Sequence, residues 1–481
     1  MEKEELEALL DDPKKLVDAV TDLAPEIPDD AENFEPEQHR VVTDKQYRPD
    51  RQVDVATGQK DPAGNEIYRK ETKAVHRIPS ATQKLIIDWS VDLALSAGIG
   101  IDCTPREGNA TDEIMLAMVK KTLEDNKFDY LAMEIERIKQ RFLTVLLVWY
   151  SVPAEPGYWD DIIPGGSSRF KMRCTIMSPE DGDVIIPLRD QYKDMIGAAR
   201  KYIVKIDGQK VNKMDLFLSD KYMTFIESET GWALEKSTPI PYGKANFILD
   251  EQKRTEWADV AAKIERIEKI DSDSADENEI SAFPILVATG EIVAASGGGA
   301  SNTRKTFQMA GEKADLKYVE SKGGQESASN ERKNIRTDIF TETATPDLKF
   351  EDISGDLPGV TIEMMLLPST NKAKRKHKGS IGMFHQRNFN FLKSAMSIIN
   401  VNVKPSLSLV IKPKFSIDLP KNRTEDFDNA VKLYEARLIS MKTAINMLGT
   451  VTDIDAEIKA IEEEVAKRAA LAPKPVAPVA Q

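Results

Sequence analysis

Cysteine and histidine are scarce, with two and four among 481 residues. Cys103 and Cys174 cannot build a disulfide framework, and two buried thiols are the expectation for a reducing compartment. No Cys/His pair has the spacing of a zinc site. The nearest histidines, His377 and His385, stand at i and i+8 without a carboxylate companion, so no metal centre is expected. Long apolar runs are missing too. The longest, "FLTVLLVWY" at 142–150, falls far short of the roughly 20 residues that cross a bilayer. The start, "MEKEELEALLDDPKK", is acidic where a secretory leader would be basic and then apolar. The expectation is a protein made and kept in a cytoplasm.

Positive charge is in deficit overall. There are 66 Lys and Arg against 80 Asp and Glu, a formal net charge of -14, so most of the surface should repel polyanions. In one place it is acid that is absent. From Met364 to Ile417 there is no Asp or Glu and there are ten Lys and Arg. Six of these, Lys372, Lys374, Arg375, Lys376, Lys378 and Arg387, fall in "NKAKRKHKGSIGMFHQR" at 371–387. The bland reading of such a run is a solvated face. The functional reading is a contact zone for phosphates. Phe384, Phe389 and Phe391 fit a helix core stripe better than a stacking platform. No groove-reading module surrounds the run, so any DNA contact would be with the backbone, independent of sequence.

The remaining chain reads as α+β. Residues 1–35 hold thirteen acidic groups and three Lys. They predict a short amphipathic helix over 3–22, with Leu6, Leu9, Leu10, Val17 and Val20 on one side. Residues 26–72 are polar and turn-rich, an arm or an exposed loop region rather than core. A helix capped by Ser80 places Leu85, Trp89 and Leu93 in line, and "NATDEIMLAMVKKTLEDNK" is a second helix. A third carries Leu131, Ile135, Ile138 and Phe142 and turns into a strand at 144–150. Short strand-like runs follow to residue 250, predicting an antiparallel sheet. A charged helix over 251–280, a small β unit and a returning helix over 325–343 come next. Strands are expected at 401–420. A long helix then carries the stripe Phe427, Val431, Tyr434, Leu438, Met441, Ile445 and Leu448, stopped by Gly449. A last helix precedes a disordered Pro/Ala tail at 471–481.

Catalytic motifs are not found. "GASNTRKT" at 299–306 has Arg304 where a phosphate-binding loop needs Gly. "DSDSADENE" at 271–279 lacks the central Gly and terminal Glu of a calcium loop. Asp160 and Asp161 have no partner at a diagnostic spacing, and no Ser or Cys sits in a nucleophile turn. An enzyme is disfavoured, and no cofactor is implied.

The order of several passages resembles the portal proteins of tailed bacteriophages. They are "RIPSATQKLIIDWSVDLALSAGIGIDC", "IPYGKANFILDEQKRTEWADVAAKIERIEKIDSDSADENEISAFPILVATGEI", "FEDISGDLPGVTIEMMLLPSTNKAKRKHKGSIGMFHQRNFNFLKSAM" and "KFSIDLPKNRTEDFDNAVKLYEARLISMKTAINMLGTVTDIDAEIKAIEEE". The resemblance spans most of residues 75–465 and lies in the order of the passages, each mostly pattern. "SGDLPGV" carries extra residues relative to the family's Ser-Gly segment, and residues 1–75 match no part of it.

The resemblance implies a portal fold: an α/β wing at 76–250, stem helices at 251–283 and 323–348, and a β clip at 284–322. It places a tunnel loop and long helix at 349–400, strands returning to the wing at 401–420, and a helical crown at 421–470. It implies Ser354, Gly355, Gly359 and Thr361 as tunnel-loop residues, and the six basic residues of 371–387 as DNA-channel groups. It implies a homo-oligomeric ring, usually of twelve, at one capsid vertex of the virion. Its implied partners are double-stranded DNA, the terminase large subunit, a head-completion adaptor, and the major capsid protein and scaffold. Two other classes remain open: an oligomeric scaffold or tail-tube component that binds only protein, and a nucleic-acid enzyme.

Overall fold

The computed structural model describes residues 2–64, 66–163, 168–281, 285–296, 306–319, 324–347, 359–417, 423–448 and 454–471. Two compact units divide the chain. The first comprises 1–347 and 369–417, the second 348–368 and 418–481. Helices and strands both run through the described residues, and every strand pair among them is antiparallel, so the class is α+β.

The first unit is built around strand β4 (Thr144–Pro153). It lies between β5 (Phe170–Met177) and β11 (Phe247–Glu251) in a three-stranded sheet. Its apolar run is continuous because both faces are covered. Val145, Leu147 and Trp149 face a helical layer of α5 (Ala110–Asp125), α6 (Phe128–Phe142) and α10 (Ser380–Ile399). Leu146 and Val148 face a second, five-stranded sheet through Ile185, Ala198 and Phe217. That sheet runs in the order β10-β9-β8-β7-β6: β6 (Val184–Arg189), β7 (Met195–Ile206), β8 (Gln209–Leu218), β9 (Lys221–Ser228) and β10 (Gly231–Pro239).

The N-terminus is not the single amphipathic helix expected over 3–22. Pro13 starts a second helix, which Asp12 caps through the Lys15 N–H at 3.2 Å. The result is α1 (Lys3–Leu9) and α2 (Pro13–Thr21). Nor are these helices a free arm: Leu6, Leu16, Val17 and Val20 are buried on the outer face of the five-stranded sheet, against Ile186, Leu216 and Phe225. The hairpin of β1 (Arg51–Lys60) and β2 (Glu66–Lys73) is exposed along nearly its whole length, as its polar sequence predicts.

A third core joins α4 (Thr82–Leu95), α7 (Ala261–Ser281) and α8 (Gly324–Glu342) through Ile86, Ile87, Val91, Trp257, Ile264, Ile267 and Ile339. This corrects the expected face of α4. Leu93 is buried as expected, but Leu85 is exposed and Trp89 only half-buried, because the helix turns Ile86, Ile87, Ser90 and Val91 inward. Ala81, not Ser80, occupies the cap position. Helix α7 begins ten residues later than predicted, since 247–251 is taken up as strand β11. Ion pairs tie it to α8: Arg266 to Glu331 at 2.8 Å, Lys263 to Glu342 at 2.5 Å, and Arg332 to Asp271. The acidic run 271–279 lies inside α7, so it forms no calcium loop.

Between the two helices β12 (Ile285–Ser296) and β13 (Thr306–Val319) pair antiparallel; most of the loop "GASNTRKT" lies outside the described residues. Residues 401–408 form a 3-10 helix rather than a strand. A short strand, β14 (Lys412–Phe415), pairs with β3 (Ile99–Asp102).

In the second unit the predicted long helix is two. Helix α11 (Arg423–Glu435) ends near Arg437, whose φ is 57°, and α12 (Met441–Leu448) is capped by Ser440 through the Thr443 N–H at 3.2 Å. A final helix, α13, spans Ile454–Leu471. The stripe residues Phe427, Val431, Tyr434 and Leu438 are exposed in this chain. Gly449 lies outside the described residues.

Candidate functional site

The basic segment does not begin a helix; it closes one and opens the next. Helix α9 runs Gly359–Lys378 with Pro368 inside it, and α10 starts at Ser380. At about 100° per residue, positions 372 and 376 share one side of α9, while 374, 375 and 378 lie toward the other. Burial follows that division. Lys374, Arg375 and Lys378 are exposed, and Arg387 is exposed on α10. Lys372 and Lys376 are turned inward, each with a side chain 16% exposed.

These two lysines enter a buried ion network. Lys372 Nζ lies 2.6 Å from Glu256 Oε1 and donates to the Thr343 carbonyl at 2.7 Å. Lys376 Nζ lies 3.2 Å from Glu256 Oε2 and 3.4 Å from Glu136 Oε1, and donates to Ser90 Oγ at 2.8 Å. Behind them Lys139 bridges Glu136 at 2.5 Å and Asp250 at 2.8 Å. Three carboxylates thus meet three ammoniums, which is what a desolvated cluster requires. Burial alone would push the Glu136 carboxyl up, but Lys139 and Lys376 outweigh it and hold it at about 2. Burial likewise opposes ionisation of Glu256, and again the two α9 lysines bring its pKa below the usual value. Burial shifts the Lys372 ammonium down despite Glu256.

The junction between α9 and α10 is equally fixed. Gly379 N–H reaches the Arg375 and Lys376 carbonyls at 3.0 and 3.1 Å. A Cβ on Gly382 would stand 2.1 Å from the His377 carbonyl oxygen, so only glycine fits. His377 stacks on Phe415 at 4.5 Å and contacts the Ala94 carbonyl through Nε2 at 2.6 Å. His385 is buried between Phe128 and Phe384, and burial pushes it down to about 3, so it stays neutral. Phe384, Phe389 and Phe391 are core residues, as their spacing implies. The basic stretch is therefore one exposed face, Lys374, Arg375 and Lys378, on an anchored helix end.

Of the tunnel-loop residues, Ser354 and Gly355 lie outside the described residues. Gly359 opens α9, and Thr361 is half-buried on it. Sequence reasoning missed Glu136, Lys139, Asp250 and Glu256. A signal was present: Glu136, Lys139 and Gln140 share the apolar face of α6 with Ile135 and Ile138, where charge needs a partner.

Other chemistry is thin among the described residues. A cleft of about 620 Å³ beside β3 is lined by Ile99, Ile101, Lys120, Leu123 and Asp129, without Ser, Cys or His. His76, Asp276 and Glu279 come together, but Arg48 and Lys73 already hold one oxygen of each carboxylate, so the group reads as ion pairs. Cys103 and Cys174 are half-buried free thiols, and burial pushes the latter up to about 12.

The sequence matches the family model described as phage portal protein, SPP1 Gp6-like, over residues 39–470. No curated protein matches it. Three solved structures show slight likeness. A chain from the virion of a native gene transfer agent particle is 10% identical, with 78% of this chain and 95% of that one covered and a TM-score of 0.34. A chain from the neck of the empty particle, computed with C6 symmetry, is 11% identical over 75% and 88%, TM-score 0.35. One from the neck of the native particle, computed with C12 symmetry, is 10% identical over 76% and 89%, TM-score 0.34.

Proposed function

The chain belongs to the SPP1 Gp6-like family of phage portal proteins, and from that premise we propose that copies of it close into a ring, of twelve, at one vertex of a phage capsid. The ring is a conduit for double-stranded DNA during packaging and ejection. It docks the terminase large subunit first and a head-completion adaptor later, and meets the major capsid protein and scaffold around its rim. The family match over 39–470 carries this reading.

The geometry supports it in kind. Residues 76–250 act as the wing, α7 and α8 as the stem, and the β12–β13 hairpin between them as the clip. Residues 349–400 supply the tunnel loop and long helix, and 421–470 the crown. Lys374, Arg375 and Lys378 are the channel charges, with Arg387 beyond the junction. Lys372 and Lys376 act instead as anchors that hold this helix in register. Each phosphate neutralised adds affinity and salt dependence. Three mobile charges per subunit on an otherwise acidic chain therefore let DNA slide.

Native mass spectrometry with particle imaging of the purified protein tests the reading. A closed ring with an open axial channel wide enough for duplex DNA is expected. A stable monomer, or an open filament, overturns it.

A further inference from the structure

Residues 29–48 cross α4, α6 and α7 as a strap. Phe34 packs on Trp257 at 6.2 Å between centroids, Lys84 pairs with Glu35 at 2.6 Å, and Arg141 donates to the Ala31 carbonyl at 3.2 Å. At the strap's centre His39 is 2% exposed. Its Nδ1 lies 2.5 Å from Glu268 Oε1 of α7, and its Nε2 lies 2.6 Å from the Asn33 carbonyl oxygen.

A neutral imidazole has one N–H and one lone pair. Here both ring nitrogens face oxygens. A carbonyl can only accept, so Nε2 must donate to Asn33. A second proton must then lie between Nδ1 and Glu268, since otherwise two lone pairs would meet in a buried site. Glu268 Oε1 also accepts the Ser80 N–H at 2.9 Å. One proton thus joins three segments: the strap, the entry to α4, and α7.

We infer that His39 and Glu268 form a proton-dependent clamp that holds the N-terminal strap on α7 and opens as the pH rises. The clamp goes beyond the portal reading and does not depend on it.

The charges around the clamp agree. Glu268 faces His39 from α7, Glu37 adds negative charge from the strap itself, and the Ser80 segment brings only its N–H. Nearby, Arg40 is paired with Asp44, and Lys269 lies over Tyr47. Burial alone would lower the His39 pKa, but the bond and charge of Glu268 reverse this and raise it. The raised value fixes the sign. The clamp is complete below the ordinary histidine value of about 6.5. It weakens as pH climbs toward the folded value, and nothing further is lost above it.

The strap's far end behaves differently. Arg48 binds Asp273 and Asp276 at 2.5 Å each and donates to the His76 carbonyl at 2.6 Å. A guanidinium keeps its charge throughout this range. Opening is therefore confined to residues 29–43, with Arg48 as the fixed end.

Hydrogen-exchange mass spectrometry of the full chain between pH 6 and 10, corrected for intrinsic exchange, tests this. Protection of 29–43 is expected to fall by up to tenfold per pH unit above about 6.5 and then level off. Peptides around Arg48 and in β8 stay constant. His39→Gln, with a single donor group, is expected to leave 29–43 poorly protected at every pH. Glu268→Gln keeps an acceptor but loses the charge, so it is expected to shift the fall to lower pH. Flat protection in the wild type, or an unchanged profile in either variant, overturns the clamp.

Discussion

Lys374 and Lys376 are two residues apart and carry the same charge, yet their surroundings assign them opposite work. Lys376 is held by Glu136, Glu256 and Ser90, whereas Lys374 is exposed. Removing one partner of a buried pair strands the other charge, at a cost of about 3–5 kcal/mol. Glu256→Gln leaves Lys372 and Lys376 short of a counter-charge and is expected to lower the unfolding free energy by about 3 kcal/mol. Lys374→Gln is expected to change it by less than about 0.5 kcal/mol. Denaturant titration of the two variants checks the contrast; equal effects would mean that the network contributes nothing.

Helices α9 and α10 show how an element boundary can be fixed by one missing side chain. Gly382 packs against the His377 carbonyl so closely that a methyl group would overlap a backbone oxygen, an atom that cannot swing aside. Gly382→Ala therefore has to move the junction, and with it Phe384 and the stacked pair His377–Phe415. The expected loss is about 2 kcal/mol or more, read as a lowered melting temperature. Unchanged melting would mean that the junction is soft. The predicted single helix over 424–448 and the predicted helix over 3–22 both proved to be two, for comparable local reasons. Pro13 restarts one, and Arg437 in a left-handed conformation and a Ser440 cap separate the other. Hydrophobic periodicity runs straight through such breaks, so it shows a stripe without showing the interruption.

For the whole molecule, the net charge of -14 and the local basic face have to be reconciled. If the face serves DNA passage, replacing Lys374, Arg375 and Lys378 together by Gln leaves oligomerisation intact and alters DNA packaging or retention. The anchors Lys372 and Lys376 are untouched, so the helix stays in place. Particle imaging checks the first outcome, and packaged DNA length in assembled heads the second. Normal packaging by the triple variant would reduce these residues to a solvated surface.

The amino-acid sequence by itself determined the fold class and most of the order of elements. Alternating and continuous apolar runs mark the strands, and the apolar positions Trp257, Val260, Ile264 and Ile267 mark the core face of α7 and the turn that leads into it. That same order, read over most of the chain, pointed to the family. The sequence could not decide which of the six basic residues are exposed. Helical spacing sorts side chains into faces, but which face is buried depends on what packs there. Glu136 and Glu256 come to Lys376 from 240 and 120 residues away. Likewise, nothing in the sequence around His39 announces a partner 229 positions on. Charge partners across the fold act through space at a few ångströms. Only the tertiary structure brings them into range, and so it alone decided which ionisable groups are anchors, which hold a proton, and which remain exposed.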